Sequence, residues 1–157
     1  MCGICGFAGK GSRADLARMM LALVHRGPDD EGQFVDEAAH VFLGHRRLAI
    51  VDIAGGKQPM WSEDGQVGVV FNGEIYNHAD LRTELERRGH HFTSNHSDTE
   101  VLVHGYEEWR EDLAIRLNGM FAFAILDRHR RQLYLARDRF GEKAGTDLPP
   151  RALDFST

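Results

Sequence analysis

The chain has 157 residues, 42% hydrophobic and 27% charged, enough length and apolar content for one domain with a real core. Its net charge of −5 argues against bulk binding to nucleic acid. The longest apolar runs, Met19 to Val24 and Met120 to Leu126, fall far short of the roughly 18 residues a membrane span needs, and no basic-then-apolar leader opens the chain. With only two cysteines, reduced thiols and a cytoplasmic location are the expectation.

In chain order, Cys2 comes first, directly behind Met1 and before Gly3. A small second residue lets the methionine be trimmed, and Cys2 would then carry a thiol nucleophile beside a free α-amino group. That amine, with an unperturbed pKa of about 7.7–8.0, is a base well placed for neutral pH. The alternative is an incidental near-terminal cysteine. Ile4 to Ala8 reads as a buried strand leading away from Cys2. Ser12 and Asp15 make a capping pair for a helix whose Leu16, Met19, Met20 and Leu23 share one face. His25 to Gly32 is a polar turn rich in glycine, proline and aspartate.

Val41 to Ile53 returns to strand character with Arg46 and Arg47 set into it. Solvent is the ordinary outlet for such a charged pair, and an anionic ligand the other. Val67 to Phe71 forms the next strand, followed by Asn72-Gly73-Glu74 and a helix capped by Asn77 and Asp80, carrying Leu81 and Leu85 and stopped by Gly89. A strand-to-helix loop there would aim an amide and a backbone N–H at one point, the geometry that stabilises an oxyanion. His90, His91 and His96 fall in a polar loop before Ser97 and Glu100, a second capping pair. The helix that follows runs towards Trp109, with a short one over Leu113 to Leu117. Asp98 by itself is only a favourable charge at a helix N-terminus. Met120 to Asp127 and Gln132 to Asp138 form a hairpin around a solvated basic turn at Arg128, Arg130 and Arg131, and from Ala144, with Pro149-Pro150, the chain is expected to be irregular.

Six segments occur in a fixed order: Met-Cys-Gly-Ile-Cys-Gly at the start, Arg-Gly-Pro-Asp-Asp-Glu-Gly, Gly-His-Arg-Arg-Leu-Ala-Ile-Val-Asp, Phe-Asn-Gly-Glu-Ile-Tyr-Asn, Ser-Asp-Thr-Glu-Val and Ala-Arg-Asp-Arg-Phe-Gly-Glu-Lys. As a set they resemble the glutaminase domain of glutamine-hydrolysing asparagine synthetases. The resemblance implies a class II, N-terminal-nucleophile glutamine amidotransferase domain over residues 1–143, incomplete at its C-terminal end and followed by the tail at 144–157. The implied fold is α+β, a four-layer αββα sandwich of two antiparallel sheets between helices, without its last strands.

By the same resemblance Cys2 attacks the glutamine amide, and Asn72 with the Gly73 N–H holds the oxyanion. Arg47 pairs with the substrate carboxylate, Glu74 and Asp98 lie near its α-amino group, and the backbone of Ile50 and Val51 lines the pocket. L-Glutamine is the expected ligand, with no metal and no cofactor in this domain. ATP and magnesium belong to a synthetase domain whose Ser-Gly-Gly-x-Asp-Ser loop does not occur in these residues, so that domain is an absent or separate partner. The acceptor could also be other than aspartate, and a homodimer stays open. A metal or redox protein built on Cys2-x-x-Cys5 and some of the nine histidines is the remote alternative, lacking the second ligand pair of a zinc ribbon.

Overall fold

The structure, a computed structural model, describes residues 2–48, 57–94, 97–143 and 151–154. Among these residues eight strands form two antiparallel sheets. In the first, β3 (Val41–Arg47) lies between β1 (Gly3–Ala8) and β2 (Asp30–Asp36). In the second, the order is β4 (Met60–Trp61), β5 (Val67–Ile75), β6 (Gly119–Asp127), β7 (Gln132–Arg137) and β8 (Arg151–Asp154). Helix α1 (Arg13–Ala22) covers the outer face of the first sheet, and α2 (His78–Arg87) and α3 (Asp98–Trp109) cover the outer face of the second. A 3₁₀ turn at Arg110–Asp112 leads into the short α4 (Leu113–Arg116). This is the expected αββα order of layers.

The two-residue period of the strands divides the core into three clusters. On β5, Val67, Val69 and Phe71 face α2 and α3, meeting Leu81, Leu85, Leu102 and Tyr106, while Val70 faces the other sheet. On β3, Val41 and Leu43 face the gap between the sheets and Phe42 faces α1, where Leu16 and Met20 close the third cluster. The same period, carried along each strand, decides the site. Cys2, Arg47, Asn72 and Glu74 all fall on inner faces, whereas Cys5 and Arg46 turn outward beneath α1.

Local signals in the sequence account for several boundaries. Ser12 and Asp15 form the expected capping box, with the Ser12 N–H donating to Asp15 Oδ2 at 2.8 Å. Gly89, at φ +98, ends α2 in a Schellman arrangement in which the His90 N–H donates to the Leu85 carbonyl at 3.1 Å and the Gly89 N–H to that of Glu86. Asp138 is buried and accepts the N–H groups of Phe121, Glu142 and Lys143, closing the turn after β7.

Several expectations are corrected. The polar stretch read as a turn at His25 to Gly32 already contains the start of β2, which runs on to Asp36. Arg46 and Arg47 are not solvated, being 9% and 6% exposed. Asn72, Gly73 and Glu74 lie within β5 and not in a loop, because β6 stays paired with β5 as far as Ile75. Asn77 does not cap α2 with its side chain; it spans instead to the Asn118 N–H at 2.9 Å and the Arg116 carbonyl. Ser97 and Glu100 form no capping pair, since Glu100 is taken by the backbone and hydroxyls of Thr93 and Ser94. Met19 lies at the edge of its helix face, 36% exposed.

The tail expected to be irregular over 144–157 is corrected at Arg151–Asp154, which pairs with β7 as the outer strand of the second sheet. Leu153 explains the docking, since it packs against the cluster between the sheets. It also borders a cavity of about 330 Å³ lined by Ile4, Gly6, Leu43, Val70 and Leu135, which contains none of the candidate site residues. Replacing Leu153 with serine should lower stability by about 1–2 kcal/mol in urea unfolding, as expected for a partly buried leucine. An unchanged midpoint would show that β8 contributes nothing to the fold.

Candidate active site

The site is built where the inner faces of the two sheets end together. Gly3 pairs with Arg46, so Cys2 lies level with the end of β3. There its Sγ accepts the Leu48 N–H at 3.4 Å and stands 3.8 Å from the Leu48 carbonyl. Arg26 Nε donates to the Cys2 carbonyl at 3.2 Å, fixing the backbone that carries the thiol. Gly27 follows, and only glycine fits, because a Cβ would come 2.5 Å from the Arg46 and Arg47 backbone. Its carbonyl accepts Arg46 Nε at 3.0 Å, and the other side of the Arg46 guanidinium meets Glu31. Arg46 is thereby committed to the fold, one residue from Arg47 on the opposite face.

His45, on the inner face of β3, is 1% exposed. Burial first, and then the neighbouring Arg47 guanidinium, pull its pKa down to about 4 against the opposing pull of Asp30. It is therefore a neutral imidazole at pH 7, and its buried Nε2 has no hydrogen-bond partner among the described residues.

Along β5 the alternate N–H groups at 67, 71, 73 and 75 point away from β6, towards the open edge of the strand. Val67 donates to Ser62 Oγ at 2.9 Å, Phe71 to Gln58 Oε1 at 2.6 Å and Ile75 to Asp98 Oδ2 at 3.1 Å. The Gly73 N–H lies between the last two. Gly73 must be glycine because a Cβ would stand 2.2 Å from the Met120 carbonyl. Asn72 beside it is 5% exposed, and among the described residues no hydrogen bond engages its amide.

Asp98, the first residue of α3, reaches back to the end of β5, where Glu74 is exposed and His78 bonds the Ile75 carbonyl at 2.8 Å. Burial raises the Asp98 carboxyl above the usual carboxylate range and Glu74 adds to this, against the Ile75 N–H and His78. A cation beside Asp98 would favour its ionised form. The structure thus gathers Cys2 with Arg47 on one sheet and Asn72, Gly73 and Glu74 with Asp98 on the other. Ile50 and Val51 lie outside the described residues. Arg26, His45, Gln58 and His78 were not identified as supports of the site, although the Arg-Gly-Pro-Asp and Gly-His-Arg-Arg segments contain two of them.

The two cysteines differ in kind. Three residues apart, with Cys5 in β1 and Cys2 just before its start, they fall on opposite faces of the sheet, which sets the Cys2-x-x-Cys5 pair against a shared ion. Burial pushes the Cys5 thiol up to about 11, which leaves it almost wholly protonated at neutral pH. A glutamine-like electrophile at pH 7.5 should therefore label Cys2 and spare Cys5, as read by mass mapping of the adduct. Labelling at Cys5 with Cys2 untouched would contradict this.

Residues 1–144 match the family model described as a glutamine amidotransferase domain. Two asparagine synthetases [glutamine-hydrolyzing] of Bacillus subtilis (strain 168), numbered 3 and 1, are 47% and 46% identical to this chain over 150 residues. These matches cover 91% and 89% of it but 24% and 23% of the relatives. The chain thus spans about a quarter of the length of the curated relatives it matches. Among solved structures, the glutamine phosphoribosylpyrophosphate amidotransferase from B. subtilis superposes with a TM-score of 0.51 at 26% identity, covering 63% of this chain and 23% of that one. By the match over residues 1–144 and the site it encloses, the chain belongs to the glutamine amidotransferase domain family.

Proposed function

We propose that this domain hydrolyses the side-chain amide of glutamine through Cys2. The reading is supported by the inner-face positions of Cys2 and Arg47 on one sheet and of Asn72 and Glu74 on the other, two faces that pack together through Leu43 and Val70, with the Gly73 N–H left between those held by Gln58 and Asp98. Once Met1 is removed, the Cys2 α-amino group accepts the thiol proton as Sγ bonds to the amide carbon. The oxyanion so formed accepts hydrogen bonds from the Asn72 amide and the Gly73 N–H. The amino group then passes the proton to the departing nitrogen, releasing ammonia and leaving a thioester on Cys2. Water attacks that thioester by the reverse use of the same groups and frees glutamate.

Arg47 holds the substrate α-carboxylate, and Asp98 with Glu74 receives the α-ammonium. The raised carboxyl of Asp98 supports this, since a bound ammonium favours its ionised form. Ile50 and Val51 would line the pocket through their backbone. The released ammonia is used, as in the asparagine synthetases it resembles, to amidate aspartate at the expense of ATP and magnesium in a synthetase region outside these 157 residues. A related amidotransferase with another acceptor is the second reading, favoured only by the likeness to the phosphoribosylpyrophosphate enzyme. A reducing cytoplasm suits a free catalytic thiol. No helix among the described residues is long and apolar enough to cross a membrane.

The test is a glutaminase assay on protein whose intact mass shows loss of Met1. Glutamate and ammonia should appear in equal amounts, and with aspartate, ATP and magnesium added the 157-residue polypeptide should form no asparagine. Asn72→Ala should slow turnover on the order of 100- to 1,000-fold with little change in the Michaelis constant, because its amide acts on charge present only in the transition state. A raised Michaelis constant with turnover intact would make Asn72 a ground-state contact instead.

A further inference from the structure

Away from the glutamine site, the loop after α2 meets the far half of α3 in a cluster of imidazoles and carboxylates. His90 Nδ1 and His104 Nδ1 both converge on the same oxygen, Glu107 Oε2, at 3.5 and 3.0 Å. One ligand atom from each of His90, His104 and Glu107 lies within 4.8 Å of the other two. A tetrahedral ion bonded at about 2.0–2.1 Å sets its ligand atoms about 3.3 Å apart, so the two contacts to Glu107 already lie near that spacing and only the imidazole nitrogens have to draw closer to each other.

The far side of each ring is also matched. His90 Nε2 stands 3.4 Å from Glu108 Oε2, and His104 Nε2 stands 3.9 Å from Glu100 Oε1. An outer carboxylate behind each imidazole is the pattern that orients metal-binding histidines and raises their basicity. Both carboxylates are themselves anchored. Glu100 is buried and accepts the N–H groups of Thr93 and Ser94 at 2.6 and 2.9 Å, while Glu108 accepts Arg88 at 2.6 Å.

The frame is anchored, and carboxylates outnumber the guanidinium groups that reach them. His90 is held by the Schellman bond to Leu85, and His104 and Glu107 are three residues apart on one helix face, with the Phe92 ring 4.6 Å from that of His104. Three carboxylates, Glu100, Glu107 and Glu108, surround the two imidazoles, with the Arg88 guanidinium in contact with Glu108. We propose that His90, His104 and Glu107 bind a divalent transition-metal ion of the zinc class, with water completing its shell, and that the ion staples the loop after α2 to α3. Nitrogen and carboxylate donors together select zinc-like ions over magnesium or calcium. The site shares nothing with the Cys-x-x-Cys segment and takes no part in amide hydrolysis.

The test uses the full chain, freed of metal by a chelator and titrated with cobalt(II) and then zinc(II). One ion per chain should bind, with the visible cobalt spectrum of a nitrogen and oxygen shell, and zinc should raise the melting temperature reversibly by chelation. His90→Ala and Glu107→Gln, both partly exposed positions, should each weaken zinc binding by about 100-fold or more, beyond the 10- to 100-fold typical of an outer partner. Circular dichroism confirms that each variant is folded. Glutaminase turnover of His90→Ala should match that of the unaltered protein. Zinc affinity unchanged in both variants, a thiolate-to-cobalt charge-transfer band, or no binding at micromolar zinc would overturn the proposal.

Discussion

The constraint on which the rest depends is the burial of two adjacent guanidinium groups at the end of β3. A charge removed from water must be met by specific partners, or its desolvation outweighs what the surrounding core contributes. The pleat solves this by sending the two side chains to opposite faces. Arg46 turns beneath α1, where the Gly27 carbonyl and Glu31 receive it. Arg47 turns into the gap between the sheets, beside neutral His45 and level with Cys2. The close packing of Gly27 and the hold of Arg26 on the Cys2 carbonyl both follow from keeping that strand end in place.

The second sheet supplies the complementary half through backbone geometry more than through side chains. Because β6 stays paired with β5 up to Ile75, the outward N–H groups of β5 form a row along an open edge. Gln58 and Asp98 occupy two of them and leave the Gly73 N–H between. The oxyanion donor is thus a consequence of strand pairing, and it needs glycine because β6 approaches too closely for any side chain. The strand-to-helix loop expected from a helix cap at Asn77 and Asp80 would have given a softer donor at the same place.

Legibility in the sequence followed the strength of local patterns. The helix at Ser12 and the hairpin around Arg128 carry sharp period and turn signals, and both are as read. β2 was missed because Asp30-Glu31-Gly32-Gln33 gives an edge strand little apolar alternation; pairing with β3 forms it regardless. Glu100 matched a capping box by spacing but serves Thr93 and Ser94, a partnership no spacing rule encodes. The short strand at Arg151–Asp154 was hidden behind Pro149-Pro150 and is held by Leu153. Cys2 was legible from its place behind Met1 and Asn72-Gly73 as an oxyanion geometry, but their assembly with Arg47, Glu74 and Asp98 came from a resemblance in ordered motifs. Their supports Arg26, His45, Gln58 and His78 became visible only once the sheets faced each other. The split between Arg46 and Arg47 was nonetheless present as a simple two-residue period.

That split is the central claim, and steady-state kinetics on Arg46→Lys and Arg47→Lys, with a thermal melt of each, tests it most directly. An ammonium does not replace a bidentate guanidinium, so Arg47→Lys should raise the Michaelis constant for glutamine by roughly 10- to 150-fold, about 1.5–3 kcal/mol, with a near-normal melt. Arg46→Lys should do the reverse, lowering stability by about 1–2 kcal/mol while leaving the Michaelis constant within about threefold. A folded Arg46→Lys protein that loses glutamine affinity as much as Arg47→Lys does would contradict the account.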